Sequence, residues 1–389
     1  MVKSPGIPDT APIVKRIRER GIPVISEIEF AGRYKGVAKT ICITGSNGKT
    51  TTTSLIYKIM RDAGRKVSLG GNIGESFAYS VATEKNFWYV LELSSFQLDG
   101  MTKFRADVGV LMNITPDHLD RYDYKFENYA ASKMRITQNQ SSADAFIYSA
   151  DDDMTRQMLD KMDSSLRARQ LPFAINTAIA SGDGDAVLEG YTFTASVGKQ
   201  SVTIDTRKMQ IHGMHNIYNA MAAALATLAA GVEPRVIKRS IYDFSPVEHR
   251  LEPAGERNGI RWINDSKATN VDSVWYALES MQQPTVWIAG GTDKGNDYTP
   301  LKEFARRKVK ALICMGLDNA KLKRDFDGII PVIEDCSSLD EAMRAAERHA
   351  TEGDTVLLSP ACASFDLFRN YEERGRLFKE WVKENILDK

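Results

Sequence analysis

Cysteine is scarce in this chain, with four in 389 residues, and no two stand as C-x-x-C. Cys42, Cys314, Cys336 and Cys362 are scattered, three of them among apolar or small neighbours. That excludes a disulfide framework and points to reduced, buried thiols in a cytoplasmic setting. There is no excess of either charge. Lys+Arg and Asp+Glu number 51 each, so bulk charge offers nothing to a nucleic acid or a membrane surface. Apolar runs long enough to span a bilayer, about 20 residues, are also missing. The longest, Ala220 to Val232, is rich in alanine and reads as a buried helix. The opening from Met1 to Pro8 contains no signal-type apolar stretch, so a soluble intracellular protein is expected. No G-x-S-x-G elbow, zinc-type spacing, fixed-period repeat or low-complexity tract occurs. Neither a hydrolase nor a metalloenzyme of that kind is favoured.

What is present is a globular composition, 43% hydrophobic and 26% charged, on a chain too long for one core. Two or three domains are expected. The strongest local signal runs from Thr40 to Thr52. An apolar strand (Ile41, Cys42, Ile43) enters Gly45-Ser46-Asn47-Gly48-Lys49-Thr50-Thr51 and then a helix-like segment through Met60. Strand, glycine turn, Lys-Thr and helix make a phosphate cradle. Backbone N–H groups and the helix N-terminus face the anion, Lys49 reaches the terminal phosphates, and the Thr50 hydroxyl serves Mg²⁺. Ile43 stands where the first glycine of G-x-x-x-x-G-K-[ST] belongs, so the shorter T-G-x-N-G-K-[ST] pattern applies.

The rest of the chain alternates strand and helix signals, the mark of an α/β fold. Residues 1–35 read as a fragment of an α/β unit, 36–246 as a central ATP-binding domain, and 247–389 as a Rossmann-like domain. Pro246 to Arg250 has the look of a linker. Buried strands are predicted over 87–97 and 108–113, and a less regular β-rich stretch over 145–207. Functional residues gather at the carboxyl ends of strands in such sheets. Glu92, Asn113 and His118 fall at such ends, beside Lys49 and Thr50.

Each has a plainer reading. Glu92 is a second Mg²⁺ carboxylate or a strand-end glutamate in solvent, and its wholly apolar strand favours the former. His118 is a metal ligand or a capped loop histidine. Lys133 looks like any solvated helix lysine. Asp265 and Lys267 form a ligand loop, or an N-cap and a surface charge.

Taken together, the motifs resemble those of the ATP-dependent Mur ligases of peptidoglycan synthesis. Those that carry the resemblance are Ser4-Pro5-Gly6-Ile7, Thr44 to Thr51, Gly70 to Gly74, Leu91 to Leu98, Asp117 to Arg121, Asn264 to Asn270 and Ser359 to Asp366. The Asn264 to Asn270 stretch points to the branch that adds D-glutamate to UDP-N-acetylmuramoyl-L-alanine, through an acyl phosphate. A related Mur or folylpolyglutamate-type amide ligase, or a catalytically silent ATP-binding remnant, are the alternatives.

The resemblance implies roles. Gly45, Asn47, Gly48, Lys49, Thr50 and Thr51 would hold ATP phosphates and Mg²⁺, with Glu92 a metal ligand. His118 would take a second Mg²⁺ together with Lys133 carbamylated at its amine. Asn216 and Asn219 would meet adenine, and Arg250 and Asp265 phosphate and ribose. Ser4, Gly6, Asn72, Ser94 and Gln97 would meet the nucleotide-sugar substrate. Lys267, Thr269, Lys294, Ser364, Phe365 and Tyr371 would form the D-glutamate pocket. A monomer is expected. The family's first domain is represented here only by its tail, Ser4 to about Phe30, which bears on nucleotide-sugar binding.

Overall fold

The computed structural model describes residues 1–389 except 5, 6, 8, 118, 163–165, 177, 179–183, 246, 247 and 389, and the side chains of residues 120 and 272. Gly6 and His118 therefore lie outside the described residues, as do two residues of the expected linker. The chain divides into two compact units, Met1–Ser245 and Pro246–Lys389. No helix among the described residues is long and apolar enough to cross a membrane.

The first unit opens with β1 (Val2–Lys3), α1 (Pro12–Glu19), β2 (Ile25–Ser26) and α2 (Glu27–Gly32). β1 and β2 make a small parallel pair. Next come β3 (Lys39–Thr44), α3 (Lys49–Asp62), β4 (Val67–Gly71), α4 (Phe77–Thr83), β5 (Trp88–Glu92), α5 (Ser95–Asp99) and β6 (Val108–Leu111). They are followed by α6 (Phe126–Met134), β7 (Ala145–Ser149), α7 (Asp153–Met162), β8 (Arg169–Ala174), β9 (Gly184–Glu189), β10 (Thr192–Val197) and β11 (Gln200–Asp205). Helices α8 (Met214–Ala229) and α9 (Pro234–Tyr242) close the unit.

One sheet runs β4-β5-β3-β6-β7-β8-β9-β10-β11, parallel as far as β9 and antiparallel beyond it. β3 is central, so Ile41, Cys42 and Ile43 are buried on both faces, as a run without polar alternation requires. Two expectations change. The 145–207 stretch is not irregular but continues the same sheet, its outer strands alternating buried and exposed residues because only one face is covered. The 87–97 strand ends at Glu92, because Ser94 and Gln97 form a capping box that starts α5.

Segment 1–35 is fastened to this unit by a buried carboxylate. Glu29 is fully buried on α2, and its Oε2 accepts the backbone N–H groups of Thr102, Lys103 and Phe104 at 2.8–2.9 Å. Its Oε1 accepts from Arg33. Burial alone would raise its pKa, but the N–H groups and Arg33 win and pull it from 4.5 down to about 2. A lowered acid pKa stabilises the fold above pH 4.5, and that stability drains away as pH falls toward 2. Glu29→Gln is expected to cost about 2–3 kcal/mol at pH 7 in urea unfolding. The gap to the parent should narrow between pH 4.5 and 2; a gap independent of pH would refute the ionic account.

The second unit contains β12 (Glu252–Arg257), β13 (Ile260–Asn264), α10 (Val271–Ser280), β14 (Thr285–Gly290), α11 (Lys302–Lys308), β15 (Val309–Met315) and α12 (Ala320–Phe326). It continues with β16 (Val332–Cys336), α13 (Leu339–His349), β17 (Thr355–Ala361) and α14 (Tyr371–Val382). The sheet order is β12-β13-β17-β14-β15-β16, with only β12 antiparallel. One face packs Trp287, Leu312 and Phe326 with Val274 and Leu278, and the other packs Met343, Ala346, Phe378 and Trp381. Insertion of β17 between β13 and β14 makes a topological switch point, and in open α/β sheets the strands' carboxyl ends at such a point are where ligands bind.

Candidate active site

In the first unit the phosphate loop hangs between β3 and α3. Gly48 has φ +82°, and a Cβ there would lie 2.5 Å from Asn219 Oδ1, so only glycine fits. No side chain caps α3, leaving its first N–H groups for an anion. The loop is stapled to the end of β6. Asn47 N donates to Asn113 Oδ1 at 2.9 Å, Ser46 N donates to Asn113 O at 3.0 Å, and Ser46 Oγ donates to Thr115 O at 2.8 Å. Ser46 Oγ also meets Tyr129 Oη at 3.1 Å. Lys49 Nζ folds back over the loop, donating to Gly45 O and Ser46 O at 2.8 Å each.

Lys133 corrects its plain reading. It is 2% exposed, on the inner side of α6, and its Nζ donates to Gly45 O at 2.7 Å and lies 4.6 Å from the Tyr129 ring centre. Burial, seconded by the charge of Lys49, drives its pKa well below that of an ordinary lysine, against the pull of Asp117, Asp99 and Glu92. The structure thus places a suppressed-pKa amine against the phosphate loop.

Glu92 is likewise not a solvated strand end. It is 1% exposed; Oε1 accepts from Asn72 Nδ2 at 2.9 Å, and Oε2 is buried with no hydrogen-bond partner among the described residues. An orphaned buried carboxylate oxygen beside a phosphate loop has the chemistry of a divalent-cation ligand. Thr50 and Thr51 are buried at the start of α3. Asn216 and Asn219, one turn apart on α8, are linked at 3.0 Å, and Asn219 Oδ1 accepts from Thr52 Oγ1 at 3.1 Å. Ser94 and Gln97 bond to each other in the capping box. Ser4 is exposed at the end of β1.

In the second unit Asp265 is buried and does not cap α10, since Asn270 does. Asp265 accepts from Ser359 Oγ at 2.7 Å and Leu251 N at 3.2 Å. Burial pushes its pKa up to about 7, with Ser359, Arg250 and the Leu251 N–H opposing. Arg250 is half-buried and its Nε has no hydrogen-bond partner among the described residues. Lys267 Nζ lies 5.1 Å from the Tyr371 ring centre, and Thr269 follows on the same loop. Ser364 is buried, Phe365 is 71% exposed and Lys294 is exposed. Asp265, Lys267 and Thr269 follow β13, Lys294 follows β14, and Ser364 and Phe365 follow β17, at the switch point, whereas Arg250 precedes β12 and Tyr371 opens α14.

Sequence reasoning missed Arg374. Its side chain is fully buried, and it donates to Ser266 Oγ, Ser266 O, Cys362 O and Gly290 O at 2.9–3.5 Å. One cation therefore ties together the ends of β13, β14 and β17. The available signal was its register: Arg374, Phe378 and Trp381 share the buried stripe of α14.

A phosphate-loop α/β unit joined to a Rossmann-like unit with polar loops at its strand ends defines a two-unit, nucleotide-using class of enzyme. Residues 43–227 match the Mur ligase middle domain and residues 249–362 the Mur ligase, glutamate ligase domain. The chain belongs to the Mur ligase family. It is 53% identical to the UDP-N-acetylmuramoylalanine–D-glutamate ligase of Bacteroides fragilis over 385 residues, covering 99% of this chain and 85% of the relative. Identity to the enzyme of that name from Christiangramia forsetii is 49% over 383 residues, covering 98% and 85%. Among solved structures, the UDP-N-acetylmuramate–alanine ligase MurC of Thermotoga maritima shares the fold at TM-score 0.65 and 16% identity, covering 98% of this chain and 85% of that one. FolC of E. coli in complex with ADP shares it at TM-score 0.65 and 15% identity, covering 97% and 99%.

Proposed function

We propose that this chain is an ATP-dependent ligase that joins D-glutamate to the terminal carboxylate of UDP-N-acetylmuramoyl-L-alanine in the making of a peptidoglycan precursor, with ADP and phosphate released. The observation that carries this reading is identity of 49–53% to enzymes of that name across both units. The site chemistry supports it. Lys49, the loop N–H groups and the uncapped start of α3 form a cationic cradle for the transferring phosphoryl group. The substrate carboxylate attacks that group, giving ADP and an acyl phosphate, and the amine of D-glutamate then displaces phosphate.

Mg²⁺ fits the donor set. Thr50 and the orphaned Glu92 Oε2 would hold one ion, and His118 with a carbamylated Lys133 a second. Bound there, the ions offset phosphate charge. Lys133 suits carbamylation because a buried, neutral amine is the nucleophile that CO₂ requires: the amine nitrogen bonds the carbon and loses a proton, leaving a carboxylate-like group. Asn216 and Asn219 are assigned to adenine, and Arg250 and Asp265 to phosphate and ribose. Ser4, Gly6, Asn72, Ser94 and Gln97 are assigned to the nucleotide sugar. Lys267, Thr269, Lys294, Ser364, Phe365 and Tyr371 are assigned to D-glutamate. The protein acts in the cytoplasm as a monomer.

Phosphate release from ATP, measured with UDP-N-acetylmuramoyl-L-alanine and D-glutamate added singly and together, tests this. Release is expected only with both, and Lys49→Ala should lower it by about 10²-fold. Release that ignores D-glutamate would overturn the assignment.

A further inference from the structure

The loop after β14 carries Lys294, and its turn is built with more bonds than a surface turn needs. Asp293 Oδ1 accepts from Gly295 N at 2.6 Å and Asn296 N at 2.9 Å, while Oδ2 accepts from Tyr298 Oη at 2.7 Å. Asn296 Nδ2 donates to Ala361 O at 3.1 Å and to Tyr298 Oη at 3.2 Å. Tyr298 is 1% exposed, and its Oη also meets Cys362 Sγ at 3.2 Å. Lys321 Nζ donates to Asn296 O and pairs with Asp293 at 3.6 Å. Burial opposes ionisation of Asp293, but Tyr298, the two N–H groups and Lys321 hold its carboxyl below the usual range.

The same network grips the neighbouring loops. Thr292 and Ala363 exchange both backbone hydrogen bonds, at 2.8 and 3.2 Å. Ala361, the residue that Asn296 holds by its carbonyl, has φ +62°, a left-handed backbone that alanine rarely adopts. Its N–H donates to Ala268 O at 2.9 Å, which reaches the loop of Lys267 and Thr269. So a buried tyrosine, an asparagine and an aspartate tie the β14 loop to the β17 loop, and the Ala361 N–H carries the link on to the β13 loop. Lys294, by contrast, stands exposed in the middle of the turn they fix, with no ion pair among the described residues.

We infer that Asp293, Asn296 and Tyr298 are positioning residues for the amino-acid pocket, presenting the Lys294 ammonium to the side-chain carboxylate of the incoming dicarboxylic amino acid. This rests on the ligase reading above. A turn held in advance does not have to be ordered when the substrate arrives, so the network acts on binding of that one substrate.

The test is steady-state kinetics of Tyr298→Phe, Asn296→Ser, Lys294→Ala and the double variant Tyr298→Phe/Lys294→Ala. Thermal unfolding is followed alongside. Tyr298→Phe is expected to raise KM for D-glutamate about tenfold, the loss of a hydrogen bond to a charged group, with KM for ATP and for the nucleotide sugar within about twofold. Asn296→Ser should act in the same direction. In the Lys294→Ala background Tyr298→Phe should add almost nothing, because the residue it positions is gone. A merely structural role would instead lower the melting temperature and shift all three KM values together. Unchanged KM for D-glutamate, or additive effects in the double variant, would overturn the inference alone. A parent protein that releases no phosphate with D-glutamate overturns the ligase reading and this inference with it.

Discussion

Lys133→Ala is expected to lower D-glutamate-dependent phosphate release by about 10³-fold, the upper end of what one charge-stabilising group contributes. The substitution removes two things at once. It deletes the hydrogen bond to Gly45 O that braces the phosphate loop, and it deletes the amine proposed to carry a carbamate. The two contributions can be separated. If the carbamate is the larger part, a small carboxylate such as acetate enters the space left by the side chain and restores part of the activity. Lys133→Arg, which keeps a donor but cannot form a carbamate, stays inactive and is not rescued.

A second readout needs no turnover. With ¹³C-labelled bicarbonate, the parent should show a carbamate carbon by NMR that Lys133→Ala lacks. The depressed pKa sets the direction: the amine is neutral over a pH range where an exposed lysine is charged, so the label should appear without strongly alkaline buffer. Activity of Lys133→Ala within tenfold of the parent, or an NMR signal that survives the substitution, would sink the proposal.

What could be read in advance, and what could not, divides along a physical line. The phosphate loop was legible because strand, glycine turn and helix are local, and the cradle needs only backbone and a few adjacent side chains. Glu92 was legible as a group set apart from solvent because a carboxylate at the end of an apolar strand is a local contradiction, and its Oε2 is buried without a hydrogen-bond partner among the described residues. Lys133 and Arg374 were not legible as buried groups. A cation on a short helix reads as solvated unless its neighbours in space are known, and those lie 88 and 108 residues away in sequence. Ser94 to Gln97 carried a readable S-x-x-Q start signal, but the apolar run around it, Leu91, Leu93, Phe96 and Leu98, hid the change from strand to helix. The outer strands β9 to β11 looked weak because their exposed faces are polar, which is what a one-sided sheet edge requires. The network around Tyr298 left no sequence trace, since its meaning depends on Ala361 and Cys362 meeting a loop more than 60 residues earlier.

Arg374→Ala is expected to destabilise the second unit by about 3–5 kcal/mol, the range for breaking a buried charged hydrogen-bond set on one side. The guanidinium's donors go to a hydroxyl and three carbonyls at the ends of three strands, and among the described residues no carboxylate is bonded to it directly. Burial pushes its pKa from 12.5 down to about 10, so it remains protonated at neutral pH. Its charge is thus a cost carried at every pH below 10, offset by the acceptors it satisfies and by nearby Asp366, with Asp265 adding its charge only above about pH 7. Alanine removes the donors and leaves those acceptors buried and unpaired, with a cavity in addition. Arg374→Met separates these causes, since it fills much of the volume but donates nothing. If the hydrogen bonds matter most, methionine should lose nearly as much as alanine; if packing matters most, it should recover most of the loss. Arg374→Lys should fall between them, because one ammonium cannot reach all three strand ends. Urea unfolding followed by tryptophan fluorescence measures this directly, since Trp262, Trp275, Trp287 and Trp381, four of the five tryptophans, lie in the second unit. A loss below about 1 kcal/mol for Arg374→Ala would mean that the three loops hold their places without the clamp, and that the site is shaped by the strands alone.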